Sequence, residues 1–249
     1  MTPPPLIIGI FLIALLGITG NGIGRKTLKL IRVSTDQPLY GIYAIALGIG
    51  LLQFVPFFLL SLGIANPTSL RLASGVLFLL SLTEIRPLST AIITKFLKLR
   101  RSQLWERFAA ALLICTLSLA LLRAVCPITD DDGLSYHLTA AVRLLNAGRF
   151  VLLPTFTYTN WPLGVESIYI YILGITRHAP VGIVQFLFAL ITMVAVMLAA
   201  RRISGSAAGW AAGALMFVYK VFWKRLLRPT WTSGRHSTAP CRCLLHAST

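Results

Sequence analysis

Long apolar runs separated by short basic stretches dominate the chain. They run from Leu6 to Gly24, Leu39 to Ala65, Leu70 to Ile85, Phe108 to Val125, Val181 to Ala200 and Ser206 to Trp223. A helix that crosses a bilayer needs about 20 mainly apolar residues, so the pattern predicts an all-α membrane protein of about five to six transmembrane helices, the third run being the shortest. The first run lacks a basic leader and a small-residue cleavage site, which marks a retained anchor and not a signal peptide. The apolar rhythm breaks between the fourth and fifth runs. From Asp132 onward, Leu134, Leu138, Ala141 and Leu145 recur at helical spacing, and Asn146-Ala147-Gly148 supplies a stop with Gly148 as the residue after the cap. The chain therefore divides into N-terminal transmembrane helices (1–126), an outer loop carrying short amphipathic helices (127–180), further transmembrane helices (181–223) and a basic, irregular tail (224–249).

Composition agrees with this class: 56% of the 249 residues are hydrophobic and 12% charged, too greasy for a soluble domain. The net charge of +16 does not indicate nucleic acid, because the basic residues fall between the apolar runs. Arg25, Lys26, Lys29 and Arg32 follow the first run. Arg86, Lys95, Lys98, Arg100, Arg101 and Arg107 lie between the third and fourth, and Arg201 and Arg202 follow the fifth. The positive-inside rule puts these stretches in the cytoplasm beside anionic lipid. The N-terminus and residues 127–180 then lie on the outer side, facing the periplasm or cell exterior. Within the basic region, Ser89 to Leu104 mixes Ile92, Ile93, Phe96, Leu97 and Leu99 with its charges and is suited to lie on the inner leaflet.

Candidate chemistry collects in the outer loop. Of seven acidic side chains, three are consecutive: Asp130, Asp131 and Asp132. A charge at the bilayer centre costs about 3 kcal/mol or more, which places the cluster at a membrane surface. A helix cap explains one Asp; three beside lipid ask for more. On the predicted helix Asp132, Tyr136, Thr139 and Arg143 share a polar face, with His137 pointing in a neighbouring direction. Phe150, Phe156, Tyr158, Trp161, Tyr169 and Tyr171 follow. They suit an interfacial aromatic belt or a platform for a sugar ring or isoprenoid chain. Glu166 is the last acid of the chain and has three readings: a second site carboxylate, a partner for Arg143 or Arg149, or an interfacial charge.

Other motifs carry less. Cys115, Cys126, Cys241 and Cys243 form no metal-binding spacing. Gly20-Asn21-Gly22-Ile23-Gly24 imitates a nucleotide loop but follows a membrane helix and lacks the G-x-G-x-x-G spacing. Gly205, Gly209 and Gly213, every fourth residue, allow close approach of a neighbouring helix.

The order Asp-Gly-Leu-Ser-Tyr-His-Leu at 132–138, then Ala147-Gly148-Arg149, then Asn160-Trp161-Pro162-Leu163-Gly164-Val165-Glu166 resembles the first large outer loop of GT-C-type membrane glycosyltransferases. These polytopic enzymes use polyprenyl-phosphate sugars, and the bacterial lipopolysaccharide-type members are the most similar. The resemblance covers roughly residues 120 to 220. The chain departs from it at Gly133, where many members have Glu, and in its extra helices before the loop. It implies transfer of a sugar from a polyprenyl-phosphate donor to a glycan, lipid or protein hydroxyl on the outer face, with Asp132 as proton acceptor. Asp130 and Asp131 would assist it or hold a divalent cation, Mg or Mn. Arg143 or Arg149 would face the phosphate, with Tyr136, His137, Trp161 and Glu166 on the substrates. The other class of reading is a non-catalytic membrane protein, a transport component or assembly partner. Such a protein more often carries ionisable or broken sites inside its helices. Members of the resembled class are about twice this length, and after Tyr219 the chain turns basic and aperiodic. A truncated product with a shifted-frame tail is therefore expected, its missing helices leaving the Gly205-Gly209-Gly213 face uncovered.

Overall fold

The computed structural model describes residues 4–35, 39–84, 104–127, 137–152 and 164–226, with side chains as far as Met216. Its helices are α1 (Pro5–Leu30), α2 (Tyr40–Leu52), α3 (Phe54–Ser61), α4 (Pro67–Ser81), α5 (Leu104–Val125), α6 (Leu138–Ala147), α7 (Gly164–Ile175) and α8 (Gly182–Leu226). A 3-10 turn, Leu82–Glu84, follows α4. The described residues contain no strand. Four stretches are long and apolar enough to cross a membrane: α1, the α2–α3 run Tyr40–Ser61, α5, and α8 as far as Met216. Their outer surfaces carry large exposed apolar side chains, among them Phe11, Phe58, Phe108, Ile114 and Leu119, as lipid-facing helices require. These features are compatible with a multi-pass membrane protein.

Local sequence explains the breaks. Pro56 removes a backbone donor and crowds the carbonyl of Leu52, and α2 ends at Leu52, with α3 continuing from Phe54. Asn66 caps α4: its side chain accepts from the Ser69 amide at 2.9 Å and its own amide donates to Ser69 Oγ at 3.0 Å. The third apolar run thus becomes a 15-residue helix, too short by itself for the span expected of it. In α8 the helical path breaks at Ser204 and Gly205, where Gly205 has φ +82, a left-handed conformation that glycine adopts without penalty.

The glycines set the packing. On α1, Gly20 and Gly24 lie against Ala44 and Gly48 of α2, so closely that a methyl group on Gly24 or Gly48 would overlap the facing backbone carbonyl. Gly-Asn-Gly-Ile-Gly is therefore the seat of a helix crossing of the small-xxx-small kind, inside α1. Gly22, on another face, lies against Ser81 of α4, whose hydroxyl is 3.2 Å from the carbonyl of Thr19. After the break in α8, the second arm doubles back. A Cβ on Gly209 would stand 2.9 Å from the carbonyl of Met197, and Gly213 also lies against Met197. Gly209 and Gly213 are thus covered by the chain's own preceding arm, correcting the expectation of an uncovered glycine face; Gly205 serves as the turn.

Polar contacts tie helix ends together. Ser206 Oγ donates to Glu106 at the start of α5, and Gly182 at the start of α8 packs on Ala124 near the end of α5. The first arm of α8 therefore runs antiparallel to α5. Gly9 of α1 touches Val125 and Ile183, so the start of α1, the end of α5 and the start of α8 meet at one end. Remote from that point, Arg25 Nε donates to the buried Asn21 at 3.1 Å. Lys29 pairs with the nearly buried Glu84 at 2.6 Å.

The core contains more of the outer-loop region than the apolar pattern suggests. Leu12 and Leu16 of α1, Ile49 of α2, Leu60 of α3 and Leu70 of α4 join Ala141 and Leu144 of α6 and Ile168–Leu173 of α7 in one cluster. Tyr169 and Tyr171 are 2% and 1% exposed. They are core residues, neither an interfacial belt nor an open platform, because α3, α4 and α6 pack around α7 and Gln185 of α8 reaches the hydroxyl of Tyr169.

Candidate functional site

Two short helices build the site. α6 buries Ala140, Ala141 and Leu144; of the expected stripe Ala141 is buried, Leu138 and Leu145 are partly buried against the core, and Leu134 lies outside the described residues. It ends as expected at Gly148, whose φ of 67 is left-handed and whose amide donates to the carbonyl of Leu144 at 2.9 Å. The amide of Ala65, in the turn before α4, donates to the carbonyl of Gly148 at 3.0 Å. That contact fixes the end of α6 beside the α3–α4 connection. There Arg149 is exposed next to Gly63, and Phe150 meets the edge of Phe57 with ring centroids 5.3 Å apart.

α7 is held at its far end by α4. Gly174 packs on Leu70, and Arg71 Nε donates to the carbonyl of Ile175 at 3.0 Å. Along its length Gln185 of α8 donates its amide to the hydroxyl of Tyr169 at 3.1 Å. Its first turn carries Glu166, and there Glu166 Oε1 meets Nδ1 of His137, immediately before α6. The Glu166 side chain is 12% exposed and that of His137 34%. A carboxylate this buried needs a charged or hydrogen-bonding partner, and His137 supplies it. Of the three readings of Glu166, one pairs it with Arg143 or Arg149. His137 and Arg149 flank opposite ends of α6, a ten-residue helix about 15 Å long. Arg143 is exposed on α6 between them.

The structure thus joins His137 and Glu166, separates Arg149 from them, and leaves Arg143 on the exposed side. Asp130, Asp131, Asp132, Tyr136 and Trp161 lie outside the described residues, as does most of the amphipathic segment Ser89 to Leu104 and the tail beyond Leu226. Among the described residues no group of three or more His, Cys, Asp or Glu is arranged to hold a metal. The pairing of His137 with Glu166 was not readable from spacing: the two stand 29 positions apart, on separate helices. What the site can do follows from its chemistry. An imidazole held at Nδ1 by a carboxylate has a defined orientation and exchanges protons at its other nitrogen. It follows directly after the segment holding the three consecutive carboxylates. No family model, curated protein or solved structure matches the chain.

Proposed function

We propose that the chain is an integral-membrane glycosyltransferase of GT-C type, which moves a sugar from a polyprenyl-phosphate donor to a hydroxyl acceptor at the outer face of the membrane. The observation that supports it most is the His137–Glu166 contact. It joins His137, which comes five residues after Asp132 in the sequence, to the first turn of α7 in an apolar bundle, where a lipid-borne donor would arrive through the membrane and no nucleotide pocket is needed. In this reading the acceptor oxygen attacks the anomeric carbon, Asp132 takes its proton, and the bond to phosphate breaks. Asp130 and Asp131 are the groups suited to a divalent cation, Mg or Mn. Arg143 is the guanidinium assigned to the phosphate charge. Arg149, a helix length away, suits the headgroup region beside Phe57 and Phe150. Tyr136 and Trp161 are assigned to the sugar or acceptor. The bundle is read as spanning the membrane with five or six helices, the two arms of α8 counting separately, as a multi-pass protein of the bacterial inner membrane.

Release of polyprenyl phosphate tests the reading. The full chain in lipid nanodiscs is given decaprenyl-phosphate-linked pentose and hexose donors with a soluble glycan or a lipid acceptor. Acceptor-dependent release of decaprenyl phosphate is expected; donors that all stay intact would refute the transferase. The competing reading, a transport component, draws on one observation: Glu166 begins a helix buried among membrane helices, a placement also used by transporters. It requires substrate flux across proteoliposomes without chemical change of the sugar.

A further inference from the structure

We infer that the cavity between the start of α4 and the turn after α7 binds the phosphate headgroup of an anionic phospholipid. The inference is independent of the glycosyl-transfer reading. The cavity measures about 790 Å³, and Arg71 and Arg177 both line it. Arg71 is fixed by its Nε, which donates to the carbonyl of Ile175 at 3.0 Å. That bond uses one edge of the guanidinium and leaves the two terminal nitrogens as further donors. Arg177 lies in the turn between α7 and α8, where the Ala179 amide donates to the carbonyl of Thr176 at 3.1 Å. It is exposed and has no hydrogen-bond or ion-pair partner among the described residues.

The composition of the cavity selects an anion. No carboxylate lines it, and Thr68 adds a hydroxyl. Asn66 and Ser69 also line it, but they are engaged in capping α4, so the two guanidiniums carry the charge. Arginine is the side chain suited to phosphate, because its fork of donors meets two oxygens at once. The pair also stands at the wrong end for a topology signal. Arg177 comes five residues before Gly182, where α8 begins beside the end of α5, remote from Lys29 and Glu84. The positive-inside rule accounts for the basic residues at the Lys29 end and not for these two.

The surroundings make the ligand a lipid. Leu72 lines the cavity, and Leu72, Val76 and Leu79 fall at helical spacing along α4. All three are more than half exposed. An apolar stripe therefore leads from the charged cavity along the outside of the bundle. A phosphate seated on the arginines can lay its acyl chains against that stripe, which a soluble phosphate cannot use.

The test titrates the full chain in mild detergent with phosphatidylglycerol or phosphatidylcholine and counts bound lipid by native mass spectrometry. Phosphatidylglycerol is expected to bind more tightly, because choline brings a positive charge to the two guanidiniums, and its binding is expected to weaken as salt rises. Arg177→Gln is expected to weaken one phosphatidylglycerol site by roughly tenfold or more, the worth of a hydrogen bond to a charged group. Arg177→Lys, which keeps the charge but not the fork, should lose less. Lys26→Gln removes the same charge at the other end of the bundle and should leave that site unchanged. Arg71→Gln should act like Arg177→Gln; gel filtration shows whether losing the bond to Ile175 has unsettled the fold, in which case Arg177→Gln decides. Equal binding of the two lipids, equal loss in Arg177→Gln and Lys26→Gln, or no loss in Arg177→Gln overturns the inference. Inorganic phosphate that displaces the lipid at equal concentration would show a site for soluble phosphate and overturn the lipid assignment.

Discussion

Replacing Gly48 or Gly24 by alanine is expected to break the α1–α2 pair, while the same change at Gly17 or Gly50 leaves the protein intact. The four glycines sit on the same two helices, yet their surroundings differ. At Gly24 and Gly48 an added methyl overlaps the backbone of Ala44 or Gly20 directly; at Gly17 and Gly50 nothing stands within 4 Å. A flexible side chain can yield, but a backbone carbonyl can move only if the two helices separate. Close approach in a membrane is driven by packing of small residues, with little help from the hydrophobic effect, so separation forfeits most of the contact. Overpacking a well-packed site typically costs about 1–3 kcal/mol, and this geometry belongs at or above the upper end. Gly→Ala at an unencumbered helix position instead favours the helix by roughly 0.5–1 kcal/mol. Size-exclusion profiles and thermal unfolding in mild detergent check this. Wild-type behaviour of Gly48→Ala would show that the helices do not cross there.

Asp132→Asn is expected to abolish most sugar transfer without unfolding the protein. Asp132 stands shortly before His137 in sequence, and His137 itself meets Glu166 of α7. Asn matches Asp in shape and caps a helix as well, so the substitution keeps the shape and any capping role while removing the proton acceptor. Loss of a general base costs typically 100- to 10,000-fold, and the fall belongs in kcat more than in donor binding. Asp130→Asn is expected to cost less unless Asp130 holds a metal. Transfer rates of the variants in nanodiscs, with wild-type gel-filtration profiles as the folding check, give the comparison. Full activity of Asp132→Asn would make Asp132 a cap only and move the base to Asp131, Asp130 or Glu166.

The helical, membrane-type character was legible because it rests on composition and length alone. The stop at Gly148 was legible for a similar reason, being local, whereas the apolar face of α6 was legible only in part: Ala141 is buried as expected, but Ala140 and Leu144 complete the buried face in place of Leu138 and Leu145. Packing between distant segments was not. Gly20 and Gly24 were read against a nucleotide motif and set aside, although the matching small residues Ala44 and Gly48 on the next helix carry the signal of a crossing. The doubling back of α8 depends on one left-handed glycine, which sequence did not distinguish from its neighbours at 209 and 213. Tyr169 and Tyr171 look interfacial by residue type, but their depth depends on four other helices closing around α7. Glu166 offered three partners or roles on paper. Which base it meets is decided by how α6 lies along α7, a tertiary fact with no local signature.

Sided thiol labelling in intact cells tests most directly whether the candidate site faces outward. In a background lacking native cysteines, Ser135→Cys reports on the segment before His137, and Gln103→Cys on the basic stretch before α5. A membrane-impermeant maleimide is expected to label Ser135→Cys in intact cells, and Gln103→Cys only after the membrane is opened. Labelling of Gln103→Cys with protection of Ser135→Cys would contradict the outward placement and, with it, transfer at the outer face.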